Sequence, residues 1–285
     1  MKKQPHRGRK WILLATSGIL LVAVLTLWIA WGNTALVVTE LTVTSTRLPQ
    51  GFDGFRIVQI SDLHNEEFGE ENSRLVEMLA ETAPNCIVLT GDLVDSRRTD
   101  VEIALSFGRQ AAALAPTYYV TGNHEARIGQ LEKLKAGLEE AGVTVLENES
   151  VTFTQGGETI TLAGVEDFGL CGGTEQAFRQ TLEGLLPGKD PYTVLLSHRP
   201  EYFSLYCQLG FDLVLAGHAH GGQFRLPGVG GLWAPGQGLF PTYDAGLYQE
   251  GSTVMVVSRG LGNSLFPFRL NNRPEIVVVT LRAGE

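Results

Sequence analysis

Short apolar runs alternate with amphipathic segments through the first half of the chain. The apolar runs have the length of buried strands, whereas the longer segments carry their apolar residues at helical spacing. Asp100 is a suitable N-cap for one predicted helix, and Gly142 is suited to follow the end of another. We predict strands at 56–61, 86–90 and 118–121, and helices at 70–81, 100–113 and 129–141.

The second half of the chain continues the α/β pattern. Two apolar runs on either side of Gly156 and Gly157 predict a β-hairpin. Buried strands that alternate with helices are typical of an α/β fold, in which the sheets lie between helical layers. The sequence has no internal repeat, so we expect one domain over 45–285. Its later elements are predicted strands at 151–153, 160–163, 193–197, 211–216, 253–258 and 275–281, and helices at 174–186 and 201–209.

Residues 11–31 contain no charged side chain and predict a transmembrane anchor. Residues 12–30 are mostly Leu, Ile, Val and Ala, and as a helix they would span roughly 30 Å, close to the thickness of the hydrocarbon core. A cleaved signal peptide is the competing interpretation, but its apolar region would be shorter, about 7–15 residues. Residues 32–44 form a polar connector whose β-prone composition is compatible with an edge strand. Tryptophans, which favour the membrane interface, lie near both ends of the span at Trp11, Trp28 and Trp31.

Charge is distributed unevenly along the chain, whose formal net charge is −9. Residues 1–10 form a basic tail without acidic residues, which predicts a cytoplasmic N-terminus and an extracytoplasmic domain in a single-pass protein of the cell membrane. Beyond residue 31, 17 basic residues face 31 acidic ones, a balance of −14. A domain this acidic is a poor candidate for binding duplex nucleic acid.

The three cysteines have no zinc-binding spacing. Cys86 lies within an apolar run, which predicts a buried thiol. Cys171 and Cys207 could form a disulfide in an oxidising compartment, and the sequence leaves that pairing open.

Polar side chains follow the predicted strands at the points where the strands end. In an open α/β sheet, functional sites lie beyond the carboxyl ends of the strands. Five of the six histidines follow strands in this way, which favours one shared site over separate structural roles. The candidate residues are Asp62, His64, Asp92, Asn123, His124, His198, His218 and His220.

This residue set predicts a site for two divalent metal ions. Imidazole and carboxylate ligands together suit Mn, Fe or Zn, and an aspartate can bridge two ions through its two oxygens. The spacing of His218 and His220 leaves open whether they bind one ion or one each. Glycines that permit tight turns lie beside the candidate ligands at Gly91, Gly122 and Gly217.

Five motifs together resemble the signature of calcineurin-like metallophosphoesterases, and they follow the family's order over 56–222. The anchor and two later runs, 258–262 and 271–274, resemble the bacterial membrane-anchored phosphodiesterase branch of that superfamily. The motifs are Asp62-x-His64, Gly91-Asp92-x-x-Asp95, Gly122-Asn123-His124-Glu125, the separate His198, and Gly217-His218-x-His220.

The resemblance implies a four-layer α-β-β-α sandwich with a dinuclear metal centre. It also implies that Asp92 bridges the two ions. His124 would act on the substrate, either by protonating the leaving oxygen or by stabilising charge on the phosphoryl group. The other implied ligands are Asp62, His64 and His220 for the first ion, and Asn123, His198 and His218 for the second.

The expected reaction is hydrolysis of a phosphodiester or pyrophosphate bond, of a lipid or a nucleotide, by attack of a metal-bridging hydroxide. A phosphomonoesterase is the first alternative, because it needs the same two metals. A catalytically silent metal-binding interaction module is the second.

Three further features have more than one interpretation. Asp95 and Glu125 could orient a metal ligand or a turn, or they could be surface or capping residues. Arg199 could bind phosphate or form a structural ion pair. Residues 226–241 are rich in glycine, proline and apolar residues, which predicts either a loop folded onto itself or an apolar rim able to receive lipid chains.

Overall fold

Two β-sheets pack face to face between two layers of helices. The computed structural model describes residues 6–186 and 191–284, so the first five residues of the predicted tail lie outside the described residues. Within the described ranges, each of these sheets has six strands. With strands numbered along the chain, the first sheet contains, in spatial order, β1 (Val37–Ser45), β16 (Glu275–Ala283), β2 (Arg56–Ile60), β3 (Cys86–Thr90), β4 (Thr117–Val120) and β5 (Val143–Val145).

The second sheet has four parallel strands at its centre and an antiparallel strand at each edge. One edge is the predicted hairpin, in which Val151 pairs with Leu162 and Phe153 pairs with Ile160. The strand at the other edge was not predicted, and most of its residues are exposed. In spatial order the strands are β14 (Gly246–Glu250), β15 (Thr253–Val257), β9 (Leu213–Ala216), β8 (Tyr192–Leu196), β7 (Glu158–Gly164) and β6 (Glu149–Gln155).

The helices form close to where the sequence predicts them. Asp100 caps one of them as expected, since its side chain accepts a hydrogen bond from Glu102 N. Gly142 follows another helix with a φ of 90°, a backbone angle that favours glycine. The helices are α1 (His6–Thr34), α2 (Ser73–Glu81), α3 (Val101–Leu114), α4 (Leu131–Glu140), α5 (Glu175–Gly184) and α6 (Phe203–Leu209).

Side-chain alternation along the strands divides the core into three apolar layers. Along β2, for example, Val58 and Ile60 pack under α2, α3 and α4, whereas Ile57 points to the opposite face. The middle layer joins the two sheets and contains Val88 from the first and Val194 from the second. A third layer packs α5 and α6 on the outer face of the second sheet. This arrangement is the four-layer sandwich that the resemblance implied.

The predicted connector is partly a strand. β1 pairs in parallel with β16 along its full length, from Val37 opposite Glu275 to Ser45 opposite Ala283. We therefore propose that the folded domain begins near residue 36, where Leu36 joins the buried core, and not at residue 45. The edge strand allowed by the β-prone composition accounts for this difference.

The N-terminal helix is the candidate membrane span. Among the described residues, one helix is long and apolar enough to cross a membrane, with its apolar part at Trp11–Thr34 and a mean hydropathy of 2.5. Its side chains are exposed along most of that length, which is the opposite of a core helix. The apolar part extends three residues beyond the predicted end at residue 31.

The segment 226–241 contains structure that its composition did not predict. Two very short hairpins form there, each with two paired residues per strand. Their strands are β10 (Arg225–Leu226), β11 (Gly230–Gly231), β12 (Trp233–Ala234) and β13 (Gly238–Leu239).

All three cysteines are free thiols. Cys86 lies in the core between the sheets, where burial raises its pKa to about 12. Cys171 and Cys207 do not form the disulfide that the sequence left open.

Candidate metal centre

Five strands bring the predicted ligands to one edge of the sandwich. The segments after β2, β3 and β4 come from the first sheet, and those after β8 and β9 come from the second. Because these strands run parallel within each sheet, their carboxyl ends lie together. All eight residues are buried, with exposed fractions of 0–7%: Asp62, His64, Asp92, Asn123, His124, His198, His218 and His220.

The first cluster of potential ligands contains Asp62, His64, Asp92 and His220. One ligand atom from each side chain lies within 4.8 Å of the others. His64 Nε2 is 3.6 Å from Asp92 Oδ2, and His220 Nε2 is 3.4 Å from Asp62 Oδ1. The Nε2 atoms of the two histidines are 3.2 Å apart. These atoms therefore converge on one point.

The second cluster contains Asp92, His198 and His218. His198 Nε2 is 3.2 Å from Asp92 Oδ2 and 3.2 Å from His218 Nδ1. Asp92 is common to both clusters, as expected of a residue that bridges two ions. The structure thus brings together all four side chains that the resemblance implied for the first ion, and Asp92, His198 and His218 of the set that it implied for the second.

The chemistry of these donors fits divalent metal ions. Among the described residues, Asn123 Oδ1 is a buried atom of the site without a hydrogen-bond partner. A buried polar atom that lacks a partner is unfavourable unless something else binds it. Imidazole nitrogens and carboxylate oxygens gathered in one buried place are the donor set of a Mn, Fe or Zn site.

Burial leaves three of the histidines in the site, His64, His218 and His220, neutral. Burial lowers the pKa of His64 to about 3 and that of His220 to about 3. For His220 the nearby positive charge of Arg269 acts in the same direction. Burial also lowers the pKa of His218 well below its ordinary value. A neutral imidazole has the free lone pair that metal binding requires.

Asp92 and His198 form a charged pair. Burial opposes both charges, but the attraction between the two groups outweighs it. The pKa of His198 is raised to about 10 by Asp92, and the pKa of Asp92 is held well below its usual value. Burial, with the like charge of Asp92, raises the pKa of Asp62. Asp92 is therefore the ionised carboxylate at the centre of the site.

The backbone at the ligands is strained. Asp62, His64, Asp92, His218 and His220 all have φ between 49° and 68°, in the left-handed region that residues with a Cβ rarely adopt. Strain of this kind persists where the surrounding structure enforces it, and it is concentrated at functional sites.

Two of the predicted glycines are needed for close approach. A Cβ at Gly217 would collide with the side chains of Ser61 and Asp62, and one at Gly122 would collide with the Asp92 carboxylate. The third, Gly91, has a φ of 87°. The glycines thus allow the strand ends from the two sheets to meet.

His124 lies beside the two clusters without belonging to either. Its Nδ1 accepts a hydrogen bond of 3.0 Å from Ser96 N, and its Nε2 is 3.2 Å from Ser264 Oγ. Because a backbone N–H can only donate, the neutral ring carries its proton on Nε2. The ring centre is 4.5 Å from that of His64.

Comparison with known proteins agrees with this geometry. The sequence profile of the calcineurin-like phosphoesterase domain matches residues 55–222, and these include every predicted ligand. The chain belongs to the calcineurin-like phosphoesterase family.

Individual relatives extend beyond the matched segment. The chain is 32% identical to the uncharacterized metallophosphoesterase YkuE of Bacillus subtilis (strain 168), over 86% of this chain and 85% of that protein. It is 31% identical to the phosphodiesterase YaeI of Escherichia coli (strain K12), over 80% of this chain and 82% of that protein. A crystal structure of the protein TT1561 from Thermus thermophilus has the same fold, with a TM-score of 0.52 and 18% identity over 73% of this chain and 90% of that one.

Glu125, the last residue of the family's Gly-Asn-His-Glu motif, fixes two of the ligand loops. Its carboxylate accepts hydrogen bonds from Asp92 N at 2.8 Å, from Gly122 N at 2.8 Å and from Val94 N at 3.0 Å. Burial and the nearby Asp92 raise its pKa to about 7. Of the alternatives that the sequence left open, the supporting role for Glu125 agrees with these contacts.

Asp95 and Arg199 form ion pairs next to the candidate ligands. Asp95 accepts hydrogen bonds from Arg97 and lies 3.6 Å from His124 Nδ1. Arg199 donates to Asp167 at 2.6 Å and also lines the cavity beside the ligands. The ion pair that the sequence allowed for Arg199 is therefore present, and phosphate binding by Arg199 stays a prediction.

A cavity of about 320 Å³ opens onto the candidate metal ligands. Arg97, Arg127 and Arg199 lie on its wall, together with Trp233, Leu265 and Phe266. Sequence reasoning selected Arg199 and the segment containing Trp233, but it missed the other four. These four lie outside the His and Asp motifs, and no local pattern identifies them.

Proposed function

We propose that this protein is a metal-dependent phosphodiesterase that cleaves phosphodiester or pyrophosphate bonds with two divalent ions. The observation that carries the proposal is the pair of buried ligand clusters that share Asp92 at the base of an open cavity. A site with two adjacent ions suits in-line displacement at phosphorus.

The proposed ligands follow the two clusters. Asp92 would bridge the ions, which would be Mn, Fe or Zn, and Asn123 would join the second cluster through its buried, unpartnered Oδ1. When bound, two such ions lower the pKa of water and neutralise charge on the phosphate. The proposed ligand sets are Asp62, His64, Asp92 and His220 for one ion, and Asp92, Asn123, His198 and His218 for the other.

The remaining steps belong to side chains on the cavity wall. Nδ1 of His124 accepts a hydrogen bond from Ser96 N, so the ring proton is on Nε2. This Nε2–H can donate a hydrogen bond to the leaving oxygen or to a phosphoryl oxygen. Arginine side chains bind phosphate oxygens through several N–H groups at once. Arg97, Arg127 and Arg199 supply such groups on the cavity wall.

The cavity favours a diester over a monoester. Trp233, Leu265 and Phe266 give it an apolar wall besides the arginines, and that wall suits a second organic substituent on the phosphate. The name of the E. coli relative, phosphodiesterase YaeI, supports the same choice. A phosphomonoesterase is the alternative that the experiment below tests directly.

We propose further that α1 anchors the protein in the cell membrane with the N-terminus in the cytoplasm. The basic residues before the span and the absence of acidic ones there favour this orientation. The metal-binding domain would then be extracytoplasmic.

The test is hydrolysis of an aryl phosphodiester and the matching monoester by the full chain in detergent. The protein is first treated with a chelator and then supplied with Mn²⁺. We expect diester cleavage to disappear on chelation and to return with Mn²⁺, at a higher rate than monoester cleavage. Asp92→Asn is the matched variant, which should bind less metal and stay inactive.

Faster cleavage of the monoester would favour the phosphomonoesterase. A folded protein that binds Mn²⁺, Fe²⁺ or Zn²⁺ without cleaving either ester would instead favour the metal-binding interaction module.

A further inference from the structure

Exposed apolar side chains are concentrated in two loops beside the cavity. We define the first rim loop as residues 223–241 and the second as residues 263–273. Outside α1, the described residues include eight large hydrophobic side chains that are clearly exposed, and six of these belong to the rim loops. A patch of this kind, next to polar surface, marks an interaction site. The six residues are Leu226, Val229, Leu239, Phe240, Leu265 and Phe268.

The two rim loops are fastened to each other. Gln223 Nε2 donates a hydrogen bond of 2.6 Å to Phe268 O, and Arg225 N donates one of 2.9 Å to Leu270 O. Phe224 packs its ring between those of Phe266 and Phe268, with centroid distances of 5.3 Å in both cases. The two rim loops are therefore held together as one structural unit.

The second rim loop is also bound to the end of the membrane helix. Asn33 Oδ1 accepts hydrogen bonds from Arg269 N at 2.8 Å and from Asn263 Nδ2 at 3.1 Å. Arg273 Nε donates to Ala35 O at 2.8 Å, and its guanidinium lies 5.0 Å from the centre of the Trp31 ring. These contacts fix the loops relative to the anchor.

The position of Trp31 sets the depth of the rim loops. Tryptophan near the end of a span lies at the level of the lipid headgroups. Asn33 is two residues further along the helix, about 3 Å along its axis. Asn263 and Arg269, which bond to Asn33, therefore lie at the membrane surface. Phe268 is the chain neighbour of Arg269, and the first rim loop is bonded to the same segment.

We propose that the six apolar residues of the rim loops form a membrane-docking surface that enters the lipid interface beside α1. Apolar side chains at this level gain free energy by burial at the boundary between headgroups and acyl chains, which amphipathic segments reach at a depth of about 5–10 Å. Leu265 belongs both to the docking surface and to the cavity wall. The cavity therefore opens at the lipid surface.

This placement defines a substrate class, which rests on the proposed function. The arginines of the cavity would bind the phosphate of a lipid headgroup, and the apolar wall would contact the lipid portion next to it. The substrate would be a phosphate ester carried by a membrane lipid, taken laterally from the bilayer.

The docking surface is tested by fluorescence quenching on the full chain in phosphatidylcholine–phosphatidylglycerol nanodiscs. The background carries Cys207→Ser, because Cys86 and Cys171 are buried. An environment-sensitive fluorophore is attached at Phe240→Cys. The reference site is Thr154→Cys. Thr154 is exposed, and it lies at the end of β6 that is farther from the candidate metal centre.

We expect doxyl-phosphatidylcholine to quench the label at residue 240 several-fold more strongly than the label at residue 154. Equal quenching at the two positions would overturn the proposal. Weak quenching at residue 240 together with concentration-dependent self-association would also overturn it. That result would indicate that a second copy of the chain, and not the membrane, covers this surface.

A charged double variant gives an independent measurement. Val229→Asp with Leu239→Asp should strongly reduce quenching at residue 240, since both side chains are exposed and neither lines the cavity. Leu114→Asp, at an exposed apolar residue of α3, is the matched control and should leave the quenching unchanged. Unchanged quenching in the double variant would contradict the assigned surface. Because quenching requires no turnover, its outcome is separate from that of the ester hydrolysis test.

Discussion

His124 is the buried histidine of the site that lies outside both ligand clusters, and this position makes its role separable from metal binding. We predict that His124→Ala lowers kcat about 10²- to 10⁴-fold, the range typical of a lost proton donor. Metal content should not change. The measurement is kcat on the aryl diester together with metal per chain by elemental analysis.

His220→Ala is the control for that experiment. His220 belongs to the first cluster, so its removal should lower both metal content and kcat. Loss of metal from the His124 variant as well would show that the role assigned to His124 is wrong.

The ligands could be predicted from the sequence, whereas several of their neighbours could not. Each candidate ligand lies in the short segment that follows a predicted strand, and sheet geometry alone brings such segments together. Ser264 contacts His124 from a loop 140 residues further along the chain, and nothing in its surroundings points to that contact. Arg127 lies three residues after His124, but its type and spacing have no special meaning.

At the scale of elements, Glu125 couples the loops that follow β3 and β4. We predict that Glu125→Gln weakens metal binding about 10- to 100-fold, as is usual when a residue that supports ligands is changed. The amide offers one accepting oxygen where the carboxylate offers two, so at least one backbone N–H loses its partner, at a cost of about 1–3 kcal/mol in unfolding free energy. Metal titration and denaturant unfolding measure the two effects.

The comparison variant is Glu102→Gln. Glu102 forms an exposed ion pair of 2.8 Å with Lys133, and such pairs contribute little to stability. Equal metal affinity in the two variants would contradict the supporting role of Glu125.

Elements that depend on local pattern could be predicted, and those that depend on distant partners could not. Asp100 identified the start of α3 to within a residue because capping is a local interaction. β1 was assigned to a connector because its partner, β16, is far away in sequence. The hairpins β10–β11 and β12–β13 are too short for any period to be visible.

At the scale of the whole molecule, the Asp92–His198 pair makes the stability of the metal-free protein depend on pH. In the folded chain the pKa of His198 is raised to about 10, whereas an unfolded histidine releases its proton near 6.5. Between these values the folded state binds more protons than the unfolded state. Unfolding free energy should therefore fall from pH 7 to pH 9, by at most about 1.4 kcal/mol per pH unit from this group.

Denaturant unfolding of chelator-treated protein at several pH values measures this slope. In metal-loaded protein the slope should be smaller, because a ligating histidine is already neutral in the folded state. Metal-free His198→Asn should also show a smaller slope. A slope that is the same in this variant would assign the effect to another group.

The four-layer sandwich was implied by resemblance, and three separate apolar clusters now account for it physically. The contact between α1 and the rim loops was not predictable. It depends on Asn33, Asn263 and Arg269, three polar residues that the sequence presents without any common pattern.

The neighbours of β16 have a consequence for biosynthesis. β16 lies between β1 and β2 in the first sheet, yet it is the last of the three to be synthesised. Until residues 275–283 leave the ribosome, β1 and β2 each have an unpaired edge, and such edges are prone to aggregation. The insertion of β16 therefore completes the sheet. A chain truncated shortly before residue 275 would lack β16 and would be susceptible to proteolysis.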